Sequence, residues 1–224
     1  MKTILSLLLT LLLTQLYGQD MNARLIANIE NLEKQVEQID PLRKERINEL
    51  SESIKDLINN EGKADVLFVC THNSRRSQLA ELWLHQLLQY YEIGNIRTFS
   101  GGTEATAFNP RMVNALERYG FSLSSQRQGN NPKYIVDKGG KFEKTMFSKK
   151  FDDPYNPSSG FIAVMVCSDA DQNCPFVPGA FDRIPLTYLD PKAADDSPHE
   201  KTAYDEKVIE IGREMIYLCE LLED

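Results

Sequence analysis

Residues 64–88, ADVLFVCTHNSRRSQLAELWLHQLL, leave little freedom in what this chain can fold into. The apolar run Val66–Val69 ends at Cys70, five residues separate Cys70 from Arg76, and an amphipathic helix pattern starts at Ser77. The stretch predicts a strand, a tight loop and a helix. A loop entering a helix points successive N–H groups inward as an anion-binding nest, and the helix dipole adds partial positive charge there. A cysteine in that place is favoured as the thiolate, its nucleophilic form. Arg76 offers a planar fork for two oxygens of a bound anion. Ser77 can donate a hydroxyl hydrogen bond to the sulfur, and Asn73 tolerates the positive φ that a tight loop asks for. Thr71, His72, Ser74 and Arg75 complete the expected anion-binding set. Together these residues point to a thiolate attacking a tetrahedral oxyanion. The plainer alternative is a buried cysteine closing a core strand.

Charge narrows the partners. The chain of 224 residues carries 33 acidic and 25 basic side chains, a net charge of −8. That balance does not suit nucleic acid, so an anion must be bound by a local site. His72, His85 and His199 have no metal-ligand spacing with the cysteines, and glycine-rich nucleotide-binding motifs are absent. The expectation is therefore no metal and no bound cofactor.

Residues 1–18, MKTILSLLLTLLLTQLYG, read as a signal peptide: Lys2 is the charged start, Ile4–Leu13 the apolar stretch and Gly18 a cleavage boundary. Export to a periplasm is the expectation, with membrane attachment only if the segment stays uncleaved. Residues 19–62 predict a helical hairpin or spacer. Leu25, Ile29, Leu32, Val36 and Ile39 make one apolar stripe, Asp40-Pro41 restarts the helix, and Ile47, Leu50, Ile54 and Leu57 make a second. Residues 63–224 alternate strand and helix patterns, with an extended surface insertion expected at about 128–160, where Gly, Asn, Lys, Pro and Ser are frequent. The predicted class is α/β: a doubly wound parallel sheet with helices on both faces, preceded by the N-terminal helical segment. In such sheets sites form at the carboxyl ends of strands. Cys70, Cys167 and Asp190 all fall at predicted strand ends, so they can converge.

Cys167 and Cys174 lie in CSDADQNC. A short segment could carry either sulfur toward Cys70 or toward the other; a structural disulfide or two unrelated buried thiols are the alternatives. Asp190 could protonate a leaving oxygen, with Asp195, Asp196 and Glu200 as nearby substitutes. Cys219 reads as a core residue of the last helix.

These segments carry a resemblance. Cys70-x5-Arg76-Ser77 after VLFV resembles the low-molecular-weight protein tyrosine phosphatases. RSQ at 76–78, SGGTEATAFNP at 100–110, CSDADQNCP at 167–175 and YLDPKAADD at 188–196 are more similar to the thioredoxin-coupled arsenate reductases of that superfamily. The resemblance covers 63–224 apart from the insertion. It implies that Cys70 attacks arsenate with Asp190 assisting loss of water, and that Cys167 attacks the adduct. Cys174 then takes Cys167, and an external thioredoxin-like reductant restores the thiols. Two rival expectations stand beside it: a phosphatase cleaving phosphate monoesters through a cysteinyl-phosphate, and a non-catalytic exported module that binds an oxyanion or a partner. The loop departs from the family at His72, where a glycine is usual, and at Arg75, where a cysteine is frequent.

Overall fold

The strand that ends at Cys70 is buried along its whole length, which its unbroken apolar sequence requires of an inner strand of a parallel sheet. In the computed structural model, which describes residues 21–126, 129–173 and 176–223, this strand is β1 (Ala64–Cys70). It lies between β2 (Ile96–Gly102) and β6 (Phe161–Met165), and β7 (Ala180–Pro185) closes the far edge. The four strands run parallel in the order β2-β1-β6-β7. Parallel pairing needs crossovers. α3 (Arg76–Tyr90) joins β1 to β2, and the short α5 (Ser168–Asn173) joins β6 to β7. α4 (Pro110–Tyr119) follows β2, and α6 (Glu200–Glu223) ends the described chain. Trp83 of α3 is fully buried and packs against Gly212 of α6, where an added Cβ would lie 2.6 Å from the indole ring.

The two N-terminal helices belong to the same core. α1 (Ala23–Glu33) is capped by Asn22 and buries Leu25, Ile29 and Leu32. α2 (Pro41–Glu61) starts on the Asp40 cap with Pro41 in its first turn, ends at Gly62 with φ 73°, and buries Ile47, Leu50, Ile54 and Leu57. α1 packs on α4 and α6; α2 packs on α6, β1 and β7. Both apolar stripes thus face the layer that covers the sheet, and no spacer separates them from it. Arg43 of α2 fixes the contact: its fork donates to both oxygens of Glu214 at 2.9 and 2.6 Å and to Thr187 O at 2.9 Å. Tyr188 OH donates to Glu214 at 2.6 Å.

The segment expected as a surface insertion is instead largely structural. A three-stranded antiparallel sheet, β3 (Leu123–Gln126), β4 (Lys133–Val136) and β5 (Lys144–Met146), flanks the main one. Met146 at the end of β5 and Phe147, Ser148 and Lys149 after it are buried. They run along the end of β2, where Gly102 N donates to Lys149 O and Phe151 N donates to Gly102 O, both at 2.9 Å. Gly101 permits this approach, since a Cβ there would sit 2.4 Å from Phe151 Cα. Two of the segment's cations, Lys144 and Lys149, face a buried carboxylate, Glu81, instead of solvent.

Because the α2 stripe shares one core with the sheet, Ile54→Ala should destabilise the whole protein. The expected loss is about 2–5 kcal/mol. Urea unfolding followed by tryptophan fluorescence should show it as a single cooperative transition moved to lower urea.

Candidate active site

The loop after β1 is built around Asn73. Its backbone has φ 44°, and its side chain is fully buried. The Nδ2 amide donates to Ser77 Oγ at 2.9 Å and to Ser100 Oγ at 2.8 Å, and Oδ1 accepts from Lys149 N at 2.9 Å. The Asn73 carbonyl accepts from Gln78 Nε2 at 2.7 Å. One side chain therefore ties the loop to α3, to β2 and to the segment after β5. Further braces come from outside: Ser148 Oγ donates to His72 O at 2.9 Å, Ser74 Oγ donates to Ala107 O at 2.7 Å, and Glu104 N donates to Thr71 O at 2.8 Å. The loop has no glycine, but its neighbour does. A Cβ on Gly102 would stand 2.2 Å from Glu104 O and 2.7 Å from Asn73 N.

Cys70 Sγ lies 3.0 Å from Ser77 Oγ and accepts from Asn73 N at 3.2 Å. Ser77 Oγ already accepts from Asn73, so its own hydrogen is free to point at the sulfur. Two donors thus converge on Cys70, the arrangement that stabilises negative charge on sulfur. Arg76 is buried beside them. Its Nη1 donates to Tyr188 O and its Nη2 to Asp190 Oδ2, both at 2.8 Å. Its Nε is buried without a hydrogen-bond partner among the described residues. An unmet buried guanidinium donor beside the Cys70 loop is a group that an oxyanion could satisfy.

Asp190 caps the 3-10 turn Pro191–Ala194, accepting from Lys192 N at 3.0 Å through Oδ1. Cys167 follows β6 and is fully buried. Its sulfur accepts from Ala170 N at 3.3 Å and lies 3.5 Å from Thr71 Oγ1. The β1–β6 register pairs Val69 with Met165, which puts both cysteines at neighbouring strand ends. Cys174 lies outside the described residues. Cys70, Cys167 and Cys219 are free thiols. Cys219 is a core residue whose pKa burial pushes up, with Glu223 and Glu220 adding to the effect.

Two loop residues differ from what their sequence positions suggest. The Arg75 side chain turns away from the anion nest: Nε donates to Tyr204 OH at 2.8 Å and Nη2 to Asp195 Oδ2 at 3.3 Å. Its Nε also lies 3.9 Å from Asp190 Oδ1, so its charge is shared among Tyr204, Asp195 and Asp190. The His72 side chain is half exposed, 3.7 Å from Glu104 at the rim.

Behind the loop is a charged cluster that sequence patterns did not disclose. Glu81, on the buried face of α3, meets Lys144 Nζ at 2.9 Å, and Lys149 is buried nearby. Burial alone would raise the Glu81 pKa, but Lys144, Lys149 and a hydrogen bond from Ser100 outweigh it and hold the carboxyl below its ordinary range. Burial lowers that of Lys149. The one available signal was Glu81 itself, a carboxylate set among Leu79, Ala80, Leu82 and Leu84. Among the described residues no group of His, Cys, Asp and Glu side chains could hold a metal ion.

Comparison with known proteins bears on this geometry. Residues 65–134 match the family described as low molecular weight phosphotyrosine protein phosphatase. Arsenate reductase 2 of Staphylococcus haemolyticus is 33% identical over 116 residues, covering 52% of this chain and 70% of that protein. The arsenate reductase of Bacillus subtilis is 30% identical over 151 residues, covering 67% of this chain and 91% of that protein. Among solved structures, a low molecular weight phosphotyrosine phosphatase from Vibrio cholerae aligns over 72% of this chain and 97% of its own, at 15% identity and a TM-score of 0.48.

Asn73→Ala should loosen the loop while leaving the sheet intact. Losing its buried side-chain hydrogen bonds should cost about 1–3 kcal/mol in urea unfolding. Alkylation of Cys70 by iodoacetate should slow roughly tenfold, the equivalent of one charge-assisted hydrogen bond. Peptide mapping after timed quenching measures it.

Proposed function

This chain belongs to the arsenate reductases of the low-molecular-weight phosphatase family and is a cysteine-dependent enzyme, and from that premise we propose that it reduces arsenate to arsenite by a relay of three cysteines. The oxyanion sits in the 70–77 loop, on its N–H groups and Arg76. The Cys70 thiolate attacks arsenic, one oxygen leaves as water with a proton from Asp190, and a sulfur–arsenic(V) bond results. The Cys167 thiolate then attacks Cys70 Sγ. The sulfur–arsenic bond breaks, its electron pair stays on arsenic, and arsenite leaves with a Cys70–Cys167 disulfide behind it. Cys174 attacks Cys167, which frees Cys70. A dithiol protein of the thioredoxin type reduces the Cys167–Cys174 disulfide. Each exchange needs an accessible thiolate and a good leaving sulfur.

The observation that carries this reading is the position of Cys167. A second free thiol lies at the strand end next to Cys70, 3.5 Å from the hydroxyl of the residue after it. Hydrolysis of a phosphate ester has no use for that thiol. The phosphatase reading keeps one support of its own: the loop, Arg76 and Asp190 form a set sufficient for cysteinyl-phosphate chemistry. Residues 1–18, outside the described residues, read as an export signal, and in that case the reductant is a dithiol protein of the exported compartment. Among the described residues no helix is long and apolar enough to cross a membrane.

Four proteins test the relay: wild type, Cys70→Ser, Cys167→Ser and Cys174→Ser, assayed with a thioredoxin system for arsenite and with an aryl phosphate for phosphate release. Cys70→Ser should lose both activities. Cys174→Ser should release about one arsenite per chain and stop, with ester hydrolysis retained. Sustained turnover in Cys174→Ser would sink the relay, and aryl phosphate hydrolysis by the wild type without arsenite formation would favour the phosphatase.

A further inference from the structure

The loop carries two consecutive arginines, Arg75 and Arg76, and they take different partners. Arg75 and Arg76 point in different directions but reach the same structural unit, the turn 190–196. Arg76 holds its front end, with Nη2 at 2.8 Å from Asp190. Arg75 holds mainly its back end, with Nη2 at 3.3 Å from Asp195, and its Nε also lies 3.9 Å from Asp190 Oδ1. The turn between them is short and stiff: Asp190 caps the 3-10 helix, and Asp195 N donates to Lys192 O at 3.0 Å. Tyr204 of α6 completes the back contact. It accepts from Arg75 Nε at 2.8 Å and donates to Asp195 Oδ1 at 2.8 Å, so Arg75, Tyr204 and Asp195 form a closed ring. The Arg75 and Asp195 side chains are only 11% and 17% exposed, so solvent screens this ring less than a surface pair. Arg111 adds a second hold at the same end through Asp196 at 2.5 Å and Glu200 at 2.8 Å.

We propose that Arg75 is a positioning residue for proton transfer: through Asp195 and Tyr204 it fixes the turn that carries Asp190, and it does so independently of Arg76. The physical need for it comes from Arg76. That guanidinium is shared, because it pairs with Asp190 and is also the fork an oxyanion would take. When the oxyanion draws on Arg76, the front hold on the turn weakens. Most of the turn's outer surface is solvent-facing: Leu189, Lys192 and Ala193 are exposed, and Pro191 is its buried apolar contact. Apolar burial therefore contributes little to holding it, and the charged ring at the back end keeps Asp190 over the site. Direct binding of the anion by Arg75 is disfavoured on the same geometry. Its Nε and Nη2 already donate to Tyr204 and Asp195, and leaving them would take the nearest cation from a mostly buried carboxylate.

The inference rests on Asp190 acting as the proton donor to an oxyanion held on Cys70, and the experiment separates the two claims. Arg75→Ala, Asp195→Asn and Tyr204→Phe are compared with wild type and Asp190→Asn. Protection of Cys70 from iodoacetate by arsenate reports binding; arsenate reduction and aryl phosphate hydrolysis report turnover; thermal unfolding reports folding. The expected result is folded variants with arsenate protection within about twofold of wild type. Turnover falls roughly 10- to 100-fold, part of what general acid catalysis contributes. In the Asp190→Asn background, Arg75→Ala should add less than about a twofold further loss, since residues acting as one unit are not additive. If Arg75→Ala does not fold, Asp195→Asn breaks the same ring from the other side and carries the same expectation. Weakened arsenate protection with turnover at saturation unchanged would make Arg75 a binding residue and overturn the proposal. So would unchanged turnover, or losses that multiply with Asp190→Asn. Absence of arsenate protection in the wild type would overturn the functional assignment first, and this inference with it.

Discussion

The buried carboxamide of Asn73 is the interaction on which the candidate site depends. A loop with no glycine must still turn through a left-handed backbone, and Asn73 does so at φ 44°. That conformation costs an ordinary residue about 1–2 kcal/mol, and Asn less. Against it stand three buried side-chain hydrogen bonds, to Ser77, Ser100 and Lys149 N. Each contributes about 1 kcal/mol net, and leaving any of these groups unpaired would cost more. The balance favours the turn. The same bonds direct the Ser77 hydrogen at Cys70, so the conformation of the loop and the electrostatics of its sulfur share one cause.

Support for that carboxamide comes from far along the chain. Ser100 is presented by the end of β2, where Gly101 and Gly102 let backbones approach that a Cβ would separate. Lys149 is presented by the segment after β5, and its burial is tolerable because Glu81 lies opposite. A buried cation without a partner would be too costly to keep. The cluster of Glu81, Lys144 and Lys149 therefore anchors, at the back of the loop, the segment after β5 that holds Asn73 Oδ1.

The acid turn is held on a different principle. The loop after β1 is braced mainly by neutral hydrogen bonds inside the core, while residues 190–196 are clamped by ion pairs with Arg75, Arg76 and Arg111 near the surface. Behind the turn, Arg43 and Glu214 connect the N-terminal helices to Tyr188, whose carbonyl also accepts from Arg76. α2 thus bears on the site through a continuous polar path as well as through the shared core.

Local pattern determined much of this. The apolar run before Cys70, the helix after it and the alternation of strands and helices specified a parallel sheet with Cys70 and Cys167 at the ends of neighbouring strands, because period and strand polarity are properties of short stretches; Asp190, expected at a strand end, instead caps a 3-10 turn beyond β7, which stops at Pro185. Asn73 was legible at a turn position because few residue types accept positive φ. What the tertiary structure decided was who faces whom. An apolar stripe on residues 41–61 states that something covers it, and only the fold shows that α6 and the sheet do. Lys144 and Lys149 read as surface charge until Glu81 is placed against them. Arg75, one residue from Arg76, reads as a second hand on the anion; the entry into α3 rotates it toward Asp195 and Tyr204, which lie 120 and 129 residues away in the chain. Charge and hydrogen-bond partners so distant in sequence leave no periodic trace, so the sequence by itself determined the strand, loop and helix that carry the thiolate, and only the folded chain determined which charges surround it.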